Sequence, residues 1–251
     1  MDKHIFLCKT KSEYESLICE EPYVVMIEDE GTVCYDKLKI TVAGYEFIDM
    51  GTSVLWATCN IGARKPEECG HYFMWGDPEA YRADRTPVSG STPVNFDWIK
   101  YKWSNGTNKS LTKYCVDSSY GEVDNKSVLD LDDDPAFVRI VDETRSPTEE
   151  EFKELIDACS TAWVTNYNDT GVNGMLFTSK TGASQKLFFP ASGNLGGLSL
   201  NYGNTNGFYW SKSIHTDYSS DGWCLYFGSG HCSMNGCYRC EGMPVRAVLP
   251  K

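Results

Sequence analysis

Four of the chain's 11 cysteines crowd the C-terminus, at Cys224, Cys232, Cys237 and Cys240, with His231 among them. Thiolates and imidazole are zinc ligands, and closely spaced cysteine pairs commonly supply them. Cys237 and Cys240 have the spacing of one knuckle, but the other half of a paired knuckle is missing, so no metal is expected there. A nucleophilic thiol needs a cation beside it to lower its pKa, and Arg239 is the only nearby candidate. No HExxH, Walker, GxGxxG or Ser/His/Asp arrangement occurs, and without a nucleophile–base pair the chain reads as a non-enzyme that needs no cofactor. The run Asp130, Asp132, Asp133 and Asp134 could collect calcium, a hard cation that takes clustered carboxylates. It lacks the glycine and spaced ligands of an EF-hand loop and reads instead as a solvated acidic loop.

The 251 residues suffice for one large domain, or for a domain with a small appendage. A net charge of −12 without a basic cluster argues against nucleic acid, which needs a basic stripe for its phosphates. No apolar run approaches the roughly 18 residues of a membrane span, so no membrane insertion is expected. The opening MDKHIFLCKTKSEYESL carries charges after a very short apolar patch and does not read as a signal peptide. An odd, scattered set of cysteines without such a signal favours free thiols over a disulfide framework.

The elements that must position these residues can be read in order. Residues 1–38 suggest a small β-α-β-β unit. His4 to Cys8 is a strand, and Thr10 with Glu13 caps a helix carrying Tyr14, Leu17 and Ile18 on one face. Tyr23 to Glu28 and Thr32 to Tyr35 then form a hairpin. Such a unit is marginal alone, so it is either a connector to a larger assembly or the first strands of the main fold. Residues 39–251 read as the main domain, with strands over Lys39 to Val42 and Phe47 to Met50 and a loop-rich acidic region from Asp77 to Asp134. A helix begins with Ser146 as N-cap, Pro147 at its first position and Glu149 closing a capping box. It places Phe152, Leu155, Ile156 and Cys159 on one face. Strands are expected over Gly174 to Thr178, Gln185 to Phe189, Gly207 to Ser213, Gly222 to Phe227 and Pro244 to Leu249. Gly203, Gly207, Gly228, Gly230, Gly236 and Gly242 read as turns with positive φ. Trp56, Trp75, Trp163 and Trp210 read as core.

Several pieces together resemble a known family. Val54 to Ala63 (VLWATCNIGA), Pro66 to Gly70 and Tyr72 to Asp77 look like the opening of the Fibrobacter succinogenes major paralogous domain. In the same order, Ser146-Pro147-Thr148 resembles its helix start, and Phe188 to Gly193 its strand and turn. Gly207 to Ser211 and Pro244 to Val248 resemble its last strands. Ser146 departs from the bulky residue usual before that proline. The resemblance covers about residues 49–249. It implies an α+β, loop-rich, C-type lectin-like fold of the formylglycine-generating-enzyme-like subtype.

A subset of that family serves as the variable protein of diversity-generating retroelements, in which adenines of chosen codons are randomised and the products face a ligand. Randomising an adenine-adenine-pyrimidine codon yields Cys, Gly, His, Tyr, Ser, Asp and Asn, but never Lys, Glu, Gln, Trp or Met. Within about residues 202–248, the resemblance makes His215, Tyr218, Ser219, Asp221, Cys224, Tyr226, Gly228, His231, Ser233, Asn235, Cys237, Tyr238 and Cys240 the ligand-binding surface. Glu241 falls outside the permitted set. Alternation in Trp223-Cys224-Leu225-Tyr226-Phe227 puts Trp223, Leu225 and Phe227 inward and Cys224 and Tyr226 outward. Tyr202, Tyr218, Tyr226 and Tyr238, set among Gly, Ser and Asn, have a paratope's composition. The implied function is non-enzymatic recognition of a protein or glycan ligand on a host or target cell, by a phage tail (virion) or bacterial cell-surface protein. The alternatives are a non-diversified surface or polysaccharide-associated module and, further off, a formylglycine-generating-like cysteine enzyme.

Overall fold

A computed structural model describes residues 4–8, 23–27, 40–140, 143–181 and 185–251. The chain is mostly β-sheet, with few helices and long irregular connections. β1 (His4–Cys8) and β2 (Tyr23–Ile27) pair in parallel. The expected helix between them and the expected strand over 32–35 lie outside the described residues.

The main body is built from three small sheets and one long helix. β3 (Ile40–Val42), β4 (Tyr45–Asp49) and β5 (Val54–Ala57) form an antiparallel meander, closed at its far edge by the C-terminal β14 (Val248–Pro250). Of the expected closing strand Pro244 to Leu249, only Val248 and Leu249 pair in a ladder, which runs on to Pro250 with Val248 opposite Trp56. A second sheet holds β6 (Cys159–Val164), β7 (Gly174–Ser179) and β8 (Lys186–Pro190) in order, all antiparallel. A short hairpin, β9 (Asn194–Gly196) and β10 (Ser199–Asn201), leads into the third sheet. That sheet is β11 (Gly207–Ile214), β12 (Asp221–Gly228) and β13 (His231–Tyr238).

α1 (Pro135–Arg139) is one turn capped by the Asp134 carboxylate. α2 (Glu149–Ala158) carries the apolar stripe read from the sequence, with Phe152 and Leu155 fully buried. Its cap, however, is Thr148, whose hydroxyl accepts from Glu151 N–H while the Glu151 carboxylate accepts from Thr148 N–H. Ser146 is not the cap. It is buried, and its hydroxyl and N–H donate to Asp134. A small hydroxyl therefore fits where the resemblance has a bulky residue. The helix also stops at Ala158, so Cys159 opens β6.

Two cores sandwich the third sheet. One joins Trp56, Phe152, Phe177 and Phe189 to Tyr209, Leu225 and Phe227. The other joins Phe47, Phe73, Trp75 and Trp210 to Cys224 and Cys237. Tyr72, Tyr81, Phe96, Tyr101 and Leu111 form a third core that anchors the loop-rich region. Trp56, Trp75 and Trp210 are core, whereas Trp163 is only partly covered. Each of those three buried indoles donates, to Thr52 Oγ1, Ser211 O and Phe73 O, so none strands a polar group.

The acidic run is only partly the solvated loop expected: Asp132 is exposed, but Asp133 and Asp134 are buried and paired. Asp133, 4% exposed, accepts from Lys102, Lys113 and the Tyr114 hydroxyl, and Asp130 pairs with Lys113 and Lys126. Hydrogen bonds from Lys113 and Lys126 hold the Asp130 carboxyl down at about 2. Among the described residues, no group of three or more His, Cys, Asp or Glu is arranged to hold a metal ion.

Candidate functional site

The third sheet carries most of the residues singled out from the sequence, and its register decides which way each points. Phe208 lies opposite Tyr226, and Tyr226 opposite Ser233; Gly228 lies opposite His231, Trp210 opposite Cys224, and Cys224 opposite Asn235. All of these share one face. The other face holds Tyr209, Trp223, Leu225, Phe227, Cys232 and Met234, and α2 packs against that side.

On the first face, the end nearest the β12–β13 turn is open. Tyr226 stacks on Phe208 with centroids 4.9 Å apart, His231 lies tilted against it at 4.4 Å, and Tyr202 lies 5.9 Å from Phe208. Asn206 Nδ2 donates to the Tyr226 hydroxyl at 3.4 Å. His231, Ser233 and Asn235 are exposed in alternation along the edge strand, between the half-buried Cys232, Met234 and Gly236. Tyr202 is 61% exposed and held at φ 57°, a left-handed conformation that costs a bulky residue roughly 1–2 kcal/mol. Strain of this kind gathers at sites where function sets the backbone. Leu198 and Leu200, in the β9–β10 hairpin just before Tyr202, add exposed apolar surface.

Five of the thirteen expected surface residues are buried. Cys224 and Cys237 are paired as a disulfide, their Cα atoms 6.4 Å apart and 13 residues apart in sequence. Diagonal positions on neighbouring antiparallel strands bring two cysteines within bridging range. Both point into the Trp75–Trp210 core, so the outward reading of Cys224 and the expectation of free thiols are corrected for this pair. Ser219 is fully buried, its hydroxyl accepting from Val116 N–H. Gly228 lies under Asn206 and His231, and a Cβ there would stand 2.8 Å from each. Cys240 is buried beside Tyr72 and Tyr101 in the loop core.

The remaining eight are reachable but do not form one patch. Tyr226, His231, Ser233 and Asn235 share the open face. His215 stacks on Trp223 at 4.1 Å and lies 5.2 Å from Tyr218, on the opposite side of the sheet. Trp223 is therefore half-buried and not core. Asp221 is half-buried beside His215, and burial raises its pKa. Tyr238 packs edge-on against Trp98 at 6.0 Å. Sequence reasoning left Phe208, Asn206 and Trp98 out of the site. Phe208 was legible from its parity with Trp210, but no local signal in the sequence places Trp98 beside Tyr238.

The glycines work differently from the sequence reading. None of Gly203, Gly207, Gly228, Gly230, Gly236 and Gly242 has a left-handed φ. A Cβ at Gly207 would lie 2.0 Å from the Phe227 ring, and one at Gly222 would lie 2.6 Å from Trp75. Glycine is required there by close packing of rings onto backbone.

Arg239, the cation that could activate a thiol, is fully buried and donates to the Tyr114 and Lys113 carbonyls. Burial pushes the Cys232 thiol up to about 11 and the Cys240 thiol up to about 12. Glu241, outside the randomisable set, is half-buried and accepts from Asn194 Nδ2 at 2.9 Å, tying the end of the ladder to β9. Comparison with protein-family models, with curated proteins and with solved structures finds no match to this chain.

Proposed function

We propose that this chain is a non-enzymatic recognition protein with a C-type lectin-like fold, and that it displays a diversified face built on β12, β13 and the 202–206 loop. The observation that carries the reading is the partition along the C-terminal ladder. His231, Ser233 and Asn235 alternate outward around a cluster of Tyr226, Phe208 and Tyr202, while Trp210, Leu225, Phe227, Arg239 and Arg246 are buried. Residues of randomisable type thus occupy most of the exposed positions, and the one Glu of the segment holds the scaffold. Tyr, Ser and Asn supply rigid contact area and adaptable hydrogen bonds, which suits a protein or glycan on a host or target cell. A phage tail or a bacterial cell surface is the setting such a ligand implies.

The buried positions of Cys224 and Cys237 narrow the scheme: they are scaffold, and the diversified set is smaller than the composition suggests. The elevated thiol pKa values of Cys232 and Cys240 favour recognition over a cysteine enzyme, because the thiolate is the nucleophile. The gene's flanking nucleotide sequence tests the reading. A nearby template repeat that differs only at adenines, in codons for outward residues such as Tyr226, His231 and Asn235, is expected. Differences spread over Leu225, Phe227 and Arg246 codons would contradict it.

A further inference from the structure

A cleft of about 530 Å³ lies between the β3–β4 hairpin, the segment after β5, Tyr167 and β8, and none of its lining residues falls within 202–248. Its wall includes the Tyr167 ring, which stacks on Phe188 with centroids 3.8 Å apart and planes at 4°. Thr41, Thr58 and Cys59 also line it.

The electrostatics of the cleft are unusual for a chain of net charge −12. Beneath it lies the Arg246 guanidinium, without solvent exposure. It donates to the carbonyls of Ala57, Thr58 and Phe188 and to Asn60 Oδ1, and among the described residues it has no carboxylate partner. A buried cation held by backbone and amide dipoles and by the face of the Phe189 ring, 4.4 Å away, with no carboxylate beside it among the described residues, is poorly screened, and Thr58 and Phe188, which hold it, also line the cleft. At the rim, Arg64 and Lys186 are exposed, and neither forms an ion pair among the described residues. The one carboxylate of the lining, Glu46, already has a partner.

We infer that this cleft binds a small organic oxyanion, its phosphate or carboxylate held by Arg64 and Lys186 and its apolar body laid toward Tyr167. Guanidinium groups suit such anions because the planar fork donates two parallel hydrogen bonds. A volume of this size fits a compact ligand. The site goes beyond the recognition face and shares no residue with it.

The test is titration of the full chain with phenyl phosphate, benzoate and inorganic phosphate, followed by calorimetry and by chemical-shift changes. Phenyl phosphate or benzoate is expected to bind saturably and more tightly than inorganic phosphate, and the tighter of the two identifies the oxyanion. Arg64→Gln and Lys186→Gln, both at exposed positions, should each weaken binding roughly tenfold and leave the melting temperature unchanged. A Tyr226→Ser control on the recognition face should leave these titrations as they are. The inference is overturned if none of the three probes binds saturably, or if the Arg64→Gln/Lys186→Gln double variant binds as the unaltered chain does.

Discussion

Glu241→Gln should stabilise the protein at alkaline pH and not at acid pH. Burial pushes the Glu241 carboxyl up to about 7, the neighbouring Asp221 charge adds to the rise, and the hydrogen bond from Asn194 opposes it. In the unfolded chain the same group titrates near 4.5. Between those values the folded state holds a proton that the unfolded state has released, so stability is highest below the unfolded pKa. It falls as pH rises toward about 7, because the folded state must then ionise a half-buried carboxyl. At about 1.4 kcal/mol per pH unit the full effect is on the order of 3 kcal/mol, which water at a half-buried site reduces to about 2 kcal/mol. Glutamine keeps the acceptor for Asn194 Nδ2 and removes the charge. Chemical denaturation of both proteins across the acid-to-alkaline range reads the difference directly. The variant should match the parent near pH 4 and exceed it by about 2 kcal/mol near pH 8. A difference independent of pH, or a variant less stable at alkaline pH, would refute the reasoning.

Other expectations follow from the same partition. Phe227→Ala should cost about 3–5 kcal/mol by opening a core cavity. Tyr226→Ser should cost about 1 kcal/mol and Trp223→Ala about 1–2 kcal/mol, since both are half-buried in ring stacks. Thermal and denaturant melts that rank Tyr226 with Phe227 would mean the faces are assigned wrongly. A Cys224→Ala/Cys237→Ala variant should lose about 3 kcal/mol through the released loop of 13 residues. Reductant should destabilise the parent but not this variant, and native-state alkylation of both thiols in unreduced protein would count against the pairing.

Much of the architecture was legible where propensity and pattern agree. The apolar stripe of Phe152, Leu155 and Ile156 marked α2, and the runs around Met175 and Phe188 marked the β7–β8 hairpin. β13 was missed because its Cys, Ser, Asn and Gly residues have weak strand propensity, and pairing with β12 overrides that preference. Its one glycine, Gly236, read as a turn for the same reason, whereas Gly207 in β11 is explained by close packing against the Phe227 ring. Alternation correctly sent Leu225 and Phe227 inward, but the sheet is covered on both faces over part of its length. Parity alone therefore could not show that Cys224 is buried while Tyr226, two residues on, reaches solvent. The anion cleft was invisible in the sequence, since Thr58, Arg64, Tyr167, Lys186 and Arg246 meet only through long-range topology.

Binding of the labelled full chain to an array of bacterial surface glycans and intact cells tests the central claim most directly. The control is a Tyr202→Ser/Tyr226→Ser/His231→Ser variant with an unchanged fold by circular dichroism. The account predicts that the parent is retained on a narrow set of targets and that the variant loses at least about tenfold in affinity, because Tyr anchors carry interface energy. Equal retention of the two proteins, or binding abolished only by changes at Arg64 and Lys186, would contradict it.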